Sequence, residues 1–218
     1  MEALRMSPHN TKGTLITFCG LDGCGKSTMI KRVTEWLQKE YNISSFLTKE
    51  PSNAVRESSI FRTYMDQKNH DDFDYRSLSL LAASDRVQHS SKIIKLLLST
   101  DFTVISDRYF YSCLANLRAR GYKNDKWIYE ISQFIIKPDI AFFIDVPVET
   151  AISRVRKRPA EKDRYIDVDL QYKLRDEYKK ICELNDGILL SSEDDEEKTF
   201  SDICTVLKKH YGDKKDEK

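Results

Sequence analysis

Gly20-Leu21-Asp22-Gly23-Cys24-Gly25-Lys26-Ser27 follows directly on the apolar run Thr14-Leu15-Ile16-Thr17-Phe18-Cys19 and runs into a segment patterned as a helix. The spacing is G-x-x-x-x-G-K-[ST], the phosphate-binding P-loop, and it lies between a strand and a helix as its physics requires. Glycines there let backbone N–H groups turn inward around phosphate oxygens. Lys26 brings a point charge to the β- and γ-phosphates, Ser27 offers a hydroxyl to Mg²⁺, and the helix that follows aims its positive end at the anion. Four fixed positions recur by chance in roughly one chain of this length in a hundred. The strand–loop–helix setting lowers that further, so nucleotide binding is expected. Gly20, Gly23, Cys24, Gly25, Lys26, Ser27 and Thr28 are its ATP-side residues.

The remaining segments alternate in the same way. Runs at 14–19, 43–48, 102–106, 140–146 and 187–191 read as strands, several apolar throughout, as strands buried on both faces are. Between them, helical spacing covers 26–41, 75–98, 111–120, 126–136, 148–158, 168–184 and 196–210, with short helices expected in the polar stretch 55–74. This predicts an α/β fold: a five-stranded parallel sheet with helices on both faces. Residues 1–211 read as a single domain and 212–218 as a charged, disordered tail. The acidic run Glu193 to Glu197 reads as the cap of the last helix.

Composition narrows the function. The 218 residues carry 36 Lys and Arg against 35 Asp and Glu, a net charge of +1. That argues against a general nucleic-acid surface, so anion recognition must be local. No apolar stretch approaches the roughly 20 residues that span a bilayer, and residues 1–12 are polar, so a cytoplasmic protein is expected. The five cysteines suit free thiols, with Cys113, Cys182 and Cys204 inside apolar helical patterns. The four histidines lack metal-site spacing.

Further residues recur at strand ends: Thr48-Lys49-Glu50-Pro51, then Asp85-Arg86 in a long helix, Asp107-Arg108-Tyr109 with Ser112, and Ile144-Asp145-Val146-Pro147. Arg154, Arg156, Arg158 and Arg164 follow in a stretch interrupted by Pro159. In this order the chain, from about Thr14 to Leu184, resembles the thymidylate kinase family. The resemblance implies a P-loop kinase fold with a short basic lid, here about residues 154–165. It also implies transfer of the ATP γ-phosphate to dTMP with Mg²⁺, and a homodimer.

The residues suit that chemistry, in which positioning and charge neutralisation carry the rate. Asp107, at a strand's C-terminal end, would hold Mg²⁺ with Ser27 and line the acceptor site. Arg108 and Arg86 would clamp the acceptor phosphate through guanidinium forks. By resemblance, Asp22 faces the acceptor 3′-hydroxyl, Glu50 lies near metal and phosphates, and Ser112 and Asn116 face the acceptor. Some relatives carry an arginine in the P-loop where this chain has Gly23. The bacterial type supplies it from the lid instead, here Arg158 as the expected catalytic residue beside Lys26 and Arg108, with Arg154 toward ATP.

The base-reading positions depart from the family. A phenylalanine is usual four residues before the helix arginine, where this chain has Ala82. Asn116 stands in a position that is usually aromatic, and Lys49 replaces a common arginine. Tyr75, Tyr109 and Phe110 are the rings that could substitute. The acceptor is therefore open between dTMP and another nucleotide or small metabolite on the same fold. A P-loop regulatory module is the remaining reading. A GTPase would need N-K-x-D, which is absent.

Overall fold

The computed structural model describes residues 1–66, 73–193 and 195–212. In chain order the elements are β1 (Thr14–Cys19), α1 (Lys26–Tyr41), β2 (Ser45–Lys49), α2 (Asn53–Arg56), α3 (Ser59–Asp66), α4 (Tyr75–His89) and, after a π-helical turn at Ser90–Ile94, α5 (Lys95–Ser99). Then come β3 (Thr103–Asp107), α6 (Phe110–Ala119), α7 (Trp127–Ser132), β4 (Ile140–Asp145), α8 (Val148–Arg156), a 3₁₀ turn at Pro159–Glu161, α9 (Val168–Leu184), β5 (Ile188–Ser191) and α10 (Glu196–Gly212).

The five strands form one parallel sheet in the order β2-β3-β1-β4-β5. The three central strands are those whose sequences are most continuously apolar. Leu15, Ile16, Phe18, Val104, Ile105 and Phe142 are fully buried there. The edge strand β2 leaves both Phe46 and Leu47 exposed, one on each face of the strand. From central β1 the chain crosses to the edge strand β2 and back to β3 on one side, and then builds β4 and β5 on the other. The crevice that opens at such a reversal is where open α/β sheets bind ligands. The P-loop, Lys49, Asp107 and Asp145 all stand at that C-terminal edge.

Helix α1 buries Met29, Ile30, Val33 and Leu37 on one stripe and ends at Asn42, whose φ of 55° closes it in the left-handed region. The acidic run caps α10 as expected: the Asp195 carboxylate accepts from the Glu197 N–H at 2.8 Å, and Glu196 and Glu197 pair with Arg32 of α1. Gly212, expected at the start of the tail, instead closes α10, while Asp194 and residues 213–218 of that expected tail lie outside the described residues. All five cysteines are buried free thiols. Among the described residues no helix is long and apolar enough to cross a membrane.

Two helical stretches depart most from the expectation, one in length and one in winding, for non-local reasons. The pattern at 126–136 yields only Trp127–Ser132, because 135–137 turn away to pair with the N-terminal segment. There the Ser7 N–H donates to the Ile135 carbonyl at 2.8 Å, and the Lys137 N–H to the Ser7 carbonyl at 2.7 Å. The long pattern at 75–98 holds as one helical run, but it widens at Ser90, whose hydroxyl is buried and accepts from the Ile136 N–H at 2.9 Å.

Candidate active site

The P-loop wraps a buried amine. Lys26 Nζ donates to the Leu21 carbonyl at 2.7 Å and the Gly20 carbonyl at 3.2 Å, which holds the charge at the mouth of α1. Gly23 has a φ of +85°, and a Cβ there would meet the Ala151 carbonyl oxygen at 2.2 Å. Only glycine fits, so this loop has no place for an arginine at position 23. The Ser192 hydroxyl donates to the Cys24 carbonyl at 2.6 Å, and Arg154 Nη2 donates to the Ser192 carbonyl at 2.9 Å. Arg154 thus braces the far side of the loop from α8.

Beside the loop, Asp22 collects two arginines. Arg108 Nη2 reaches Oδ1 at 2.5 Å, and Arg164 Nη2, from the loop before α9, reaches Oδ2 at 3.1 Å. Arg108 has a φ of +71°, a conformation that few side chains adopt outside strained sites. Its other nitrogen donates to the Gly20 carbonyl and to the Tyr178 hydroxyl, which in turn donates to Ser112 Oγ at 3.0 Å. The Arg108 guanidinium holds the Asp22 carboxyl well below its ordinary range, with Lys26 and Arg164 adding to it against the opposing effect of burial.

A carboxylate depressed in the folded state stabilises fully above its unfolded pKa of about 3.9 and loses that contribution as the pH falls toward its folded value. Asp22→Asn is therefore expected to be less stable than wild type at pH 7, with the gap narrowing by pH 3. Urea unfolding at the two pH values measures it; a gap that widens in acid contradicts this linkage.

Asp107 Oδ1 is buried without a hydrogen-bond partner, while Oδ2 lies 3.4 Å from Lys49 Nζ. Asp107 and Ser27 line the same cleft. An orphaned carboxylate oxygen and a hydroxyl are hard-oxygen donors of the kind Mg²⁺ takes alongside phosphates, so the residues present fit that ion. Glu50 is placed differently from the expectation. It is 1% exposed, does not line the cleft, and lies 2.9 Å from Arg86 Nε. Burial pushes its carboxyl up to about 7, opposed by Arg86. Arg86, which also donates to the Ala82 carbonyl, lines the cleft, and Glu50 lies behind it.

The cleft occupies about 1440 Å³ between the P-loop, the 158–167 segment, α4, α6 and α9. At its far end Asn116 Nδ2 donates to the Ser112 carbonyl, and Arg120 Nη1 donates to Asn116 Oδ1 at 2.8 Å. The Arg120 guanidinium lies 3.9 Å over the Tyr75 ring and donates to the Tyr64 hydroxyl. Between α8 and α9, Arg158 and Arg164 both pair with Glu161 and both line the cleft, whereas Arg156 turns to the Lys162 carbonyl.

The sequence model of the thymidylate kinase family matches residues 18–203. The chain belongs to that family. It is 34% identical over 201 residues to a probable thymidylate kinase of Thermococcus kodakarensis, covering 89% of this chain and 97% of that one. It is 34% identical to another from Pyrococcus horikoshii, with 90% and 97% covered. A thymidylate kinase of Lactobacillus acidophilus is 33% identical over 165 residues, with 74% and 76% covered. As a thymidylate kinase family member, the chain is a phosphotransferase of the nucleoside monophosphate kinase class.

Within this family member the rings named above as substitutes for the missing phenylalanine divide sharply. Tyr109 and Phe110 are fully buried, and the Tyr109 hydroxyl donates to the Ile136 carbonyl, so neither reaches a ligand. The strand and the first turn of α6 draw them into the core. Of the three, Tyr75 alone lines the cleft, with Tyr64 packed against it and Phe73 packed in turn on Tyr64. Arg56, Tyr64 and Arg120 line the cleft without having been singled out from sequence. Arg120 was legible in principle, four residues beyond Asn116 on the stripe that begins at Ser112.

Proposed function

We propose that this kinase transfers the γ-phosphate of ATP to dTMP, giving dTDP, with Mg²⁺ bound. One observation carries the reading: a single cleft joins the P-loop and its lid at one end to a polar, ring-lined end beside Asn116 at the other. A phosphate donor and a nucleotide acceptor can face each other along it. An acceptor phosphate oxygen attacks the γ-phosphorus, and the bond to the β-phosphate oxygen of ADP breaks.

Lys26 and the P-loop N–H groups hold the donor phosphates, and Arg154 supports the loop on the ATP side. Asp107 and Ser27 would hold Mg²⁺, which supplies neutralisation of phosphate charge. Arg108 and Arg86 orient the acceptor phosphate, Asp22 faces the acceptor sugar, and a lid arginine covers the transferring group. Asp22, paired with two arginines, stays a carboxylate at neutral pH and serves to orient rather than to move a proton.

ADP release by the purified chain with MgATP and a panel of nucleoside monophosphates tests this. Turnover is expected with dTMP, and with dUMP second. Absence of turnover with every nucleotide, alongside normal ATP binding, moves the acceptor to another small metabolite. Asn116→Ala is expected to raise the acceptor KM severalfold and leave ATP binding unchanged, because it removes the amide that anchors the far end of the cleft. Equal acceptor KM values in the variant and wild type remove Asn116 from the acceptor site.

A homodimer is also proposed. Leu80, Ile93 and Leu96 are exposed along the α4–α5 run, and light scattering after gel filtration tests it. Five free thiols support work in a reducing, cytoplasmic setting.

A further inference from the structure

The peptide between Cys24 and Gly25 is held from outside the P-loop. Gly25 stands at the mouth of α1 with φ of 100° and ψ of 0°. A glycine rotates at little cost, so the local backbone leaves the orientation of this peptide open. A planar trans peptide sends its C=O and its N–H in opposite directions. Whatever fixes the Cys24 carbonyl therefore fixes the Gly25 N–H as well.

The group that fixes it is Ser192. This residue follows β5, is 7% exposed, and donates its hydroxyl to the Cys24 carbonyl at 2.6 Å. Both of its backbone groups are tied. The Ser192 N–H donates to the Asp145 carbonyl at the end of β4 at 3.0 Å, and the Ser192 carbonyl accepts from Arg154 Nη2 of α8 at 2.9 Å. Arg154 Nη1 lies 3.5 Å from the Ser192 hydroxyl oxygen, and a guanidinium can only donate, so the hydroxyl proton is left to the Cys24 carbonyl. The side chain sits directly against the glycine: a Cβ on Gly25 would lie 3.4 Å from Ser192 Oγ and 3.9 Å from its Cβ. Sheet, helix α8 and loop thus meet on one buried hydroxyl, and Gly25 lines the cleft in front of it.

We propose that Ser192 is a positioning residue for the donor phosphates: by holding the Cys24 carbonyl away from the cleft, its hydroxyl keeps the Gly25 N–H turned toward the phosphate oxygens of ATP. The inference rests on the nucleotide kinase reading and adds to it a residue that acts through the loop. Without the hydroxyl, the Cys24 carbonyl is a buried acceptor that has lost its partner, and such a group turns to find another donor. Gly25 permits that turn, and its N–H leaves the phosphate site with it. The loss falls on the donor side, because Arg86 and Asn116 stand on α4 and α6, away from this peptide.

The test is the Kd of ADP and of dTMP, by calorimetry on the full chain with Mg²⁺, for wild type, Ser192→Ala and Ser192→Thr. Ser192→Ala is expected to raise the ADP Kd by about fivefold, the scale of one net hydrogen bond, and to leave the dTMP Kd unchanged. Ser192→Thr keeps a hydroxyl on the same carbon and is expected to recover most of the ADP affinity. An unchanged ADP Kd in Ser192→Ala overturns the proposal. So does a dTMP Kd that rises as much as the ADP Kd, the mark of a general loss of structure, and so does a threonine variant as weak as the alanine one. Wild type that binds no ADP overturns the P-loop reading on which the proposal stands. Wild type that binds ADP but not dTMP overturns the acceptor instead, and the ADP affinities still decide the role of Ser192.

Discussion

Lys26→Ala is expected to lower kcat by at least about 10²-fold, the scale on which a preorganised charge acts on a transferring phosphoryl group. The geometry says why the effect falls on chemistry. Among the described residues Lys26 Nζ makes no ion pair; it donates to two P-loop carbonyls and lies 3.6 Å from Cys24 Sγ. Phosphate oxygens at the loop can take those donors over without breaking an ion pair. The fold is expected to survive, because carbonyl oxygens tolerate the loss of one donor better than buried N–H groups do. The Gly20 carbonyl also keeps a donor in Arg108 Nη1, at 3.3 Å. Steady-state rates, with circular dichroism on the same sample, decide the matter. A folded variant with near wild-type kcat removes the P-loop lysine from the mechanism, and with it the ATP-side assignment.

The parts of this molecule that were legible in its sequence are those set by local chemistry. The central strands announce themselves because burial on both faces demands apolar residues throughout, as in Thr14–Cys19 and Ile140–Asp145. Helix α9 was legible to its boundaries, since Asp167 caps it by accepting from the Leu170 N–H and its buried face repeats regularly. What escaped was set by distant partners. The shortening of α7 depends on Ser7, more than 100 residues away in sequence. The burial of Leu4 and Met6 makes a polar-looking leader part of the core.

The site divides in the same way. The P-loop, Asp107 and Arg108 follow strands directly, so spacing alone carries them to the cleft. Glu50 also follows a strand, yet it points behind Arg86, because the choice between a ligand-facing and a buried carboxylate rests on where a helix far along the chain places its arginine. Tyr75 opens α4 and Arg120 follows α6, and their meeting at 3.9 Å comes from packing that neither segment's sequence carries alone. Periodicity could place each on its helix face but not the pair together.

Of the lid arginines, one is expected to lower kcat by about 10³-fold when replaced by alanine, the scale on which an arginine stabilises the charge of phosphoryl transfer. The P-loop cannot supply that arginine, since a side chain at position 23 would run into the Ala151 carbonyl. The sequence pointed to Arg158. In the structure Arg158 and Arg164 share Glu161, at 3.3 and 3.0 Å, and only Arg164 reaches across to the P-loop carboxylate, 3.1 Å from Asp22. Both remain proposals for the same role, and they predict different kinetics. An arginine acting only in the transition state costs kcat and kcat/KM alike, whereas one that merely positions Asp22 also shifts acceptor KM. Arg158→Ala is expected to show the first pattern and Arg164→Ala the second. Arg156, turned to the Lys162 carbonyl, and Arg154, bound to Ser192, are expected to spare kcat by comparison. Steady-state kinetics on the four single variants separate these outcomes. If all four retain wild-type kcat, the basic stretch from 154 to 165 is ordinary solvated surface and the transferring phosphoryl group is neutralised by Lys26 and Arg108 alone.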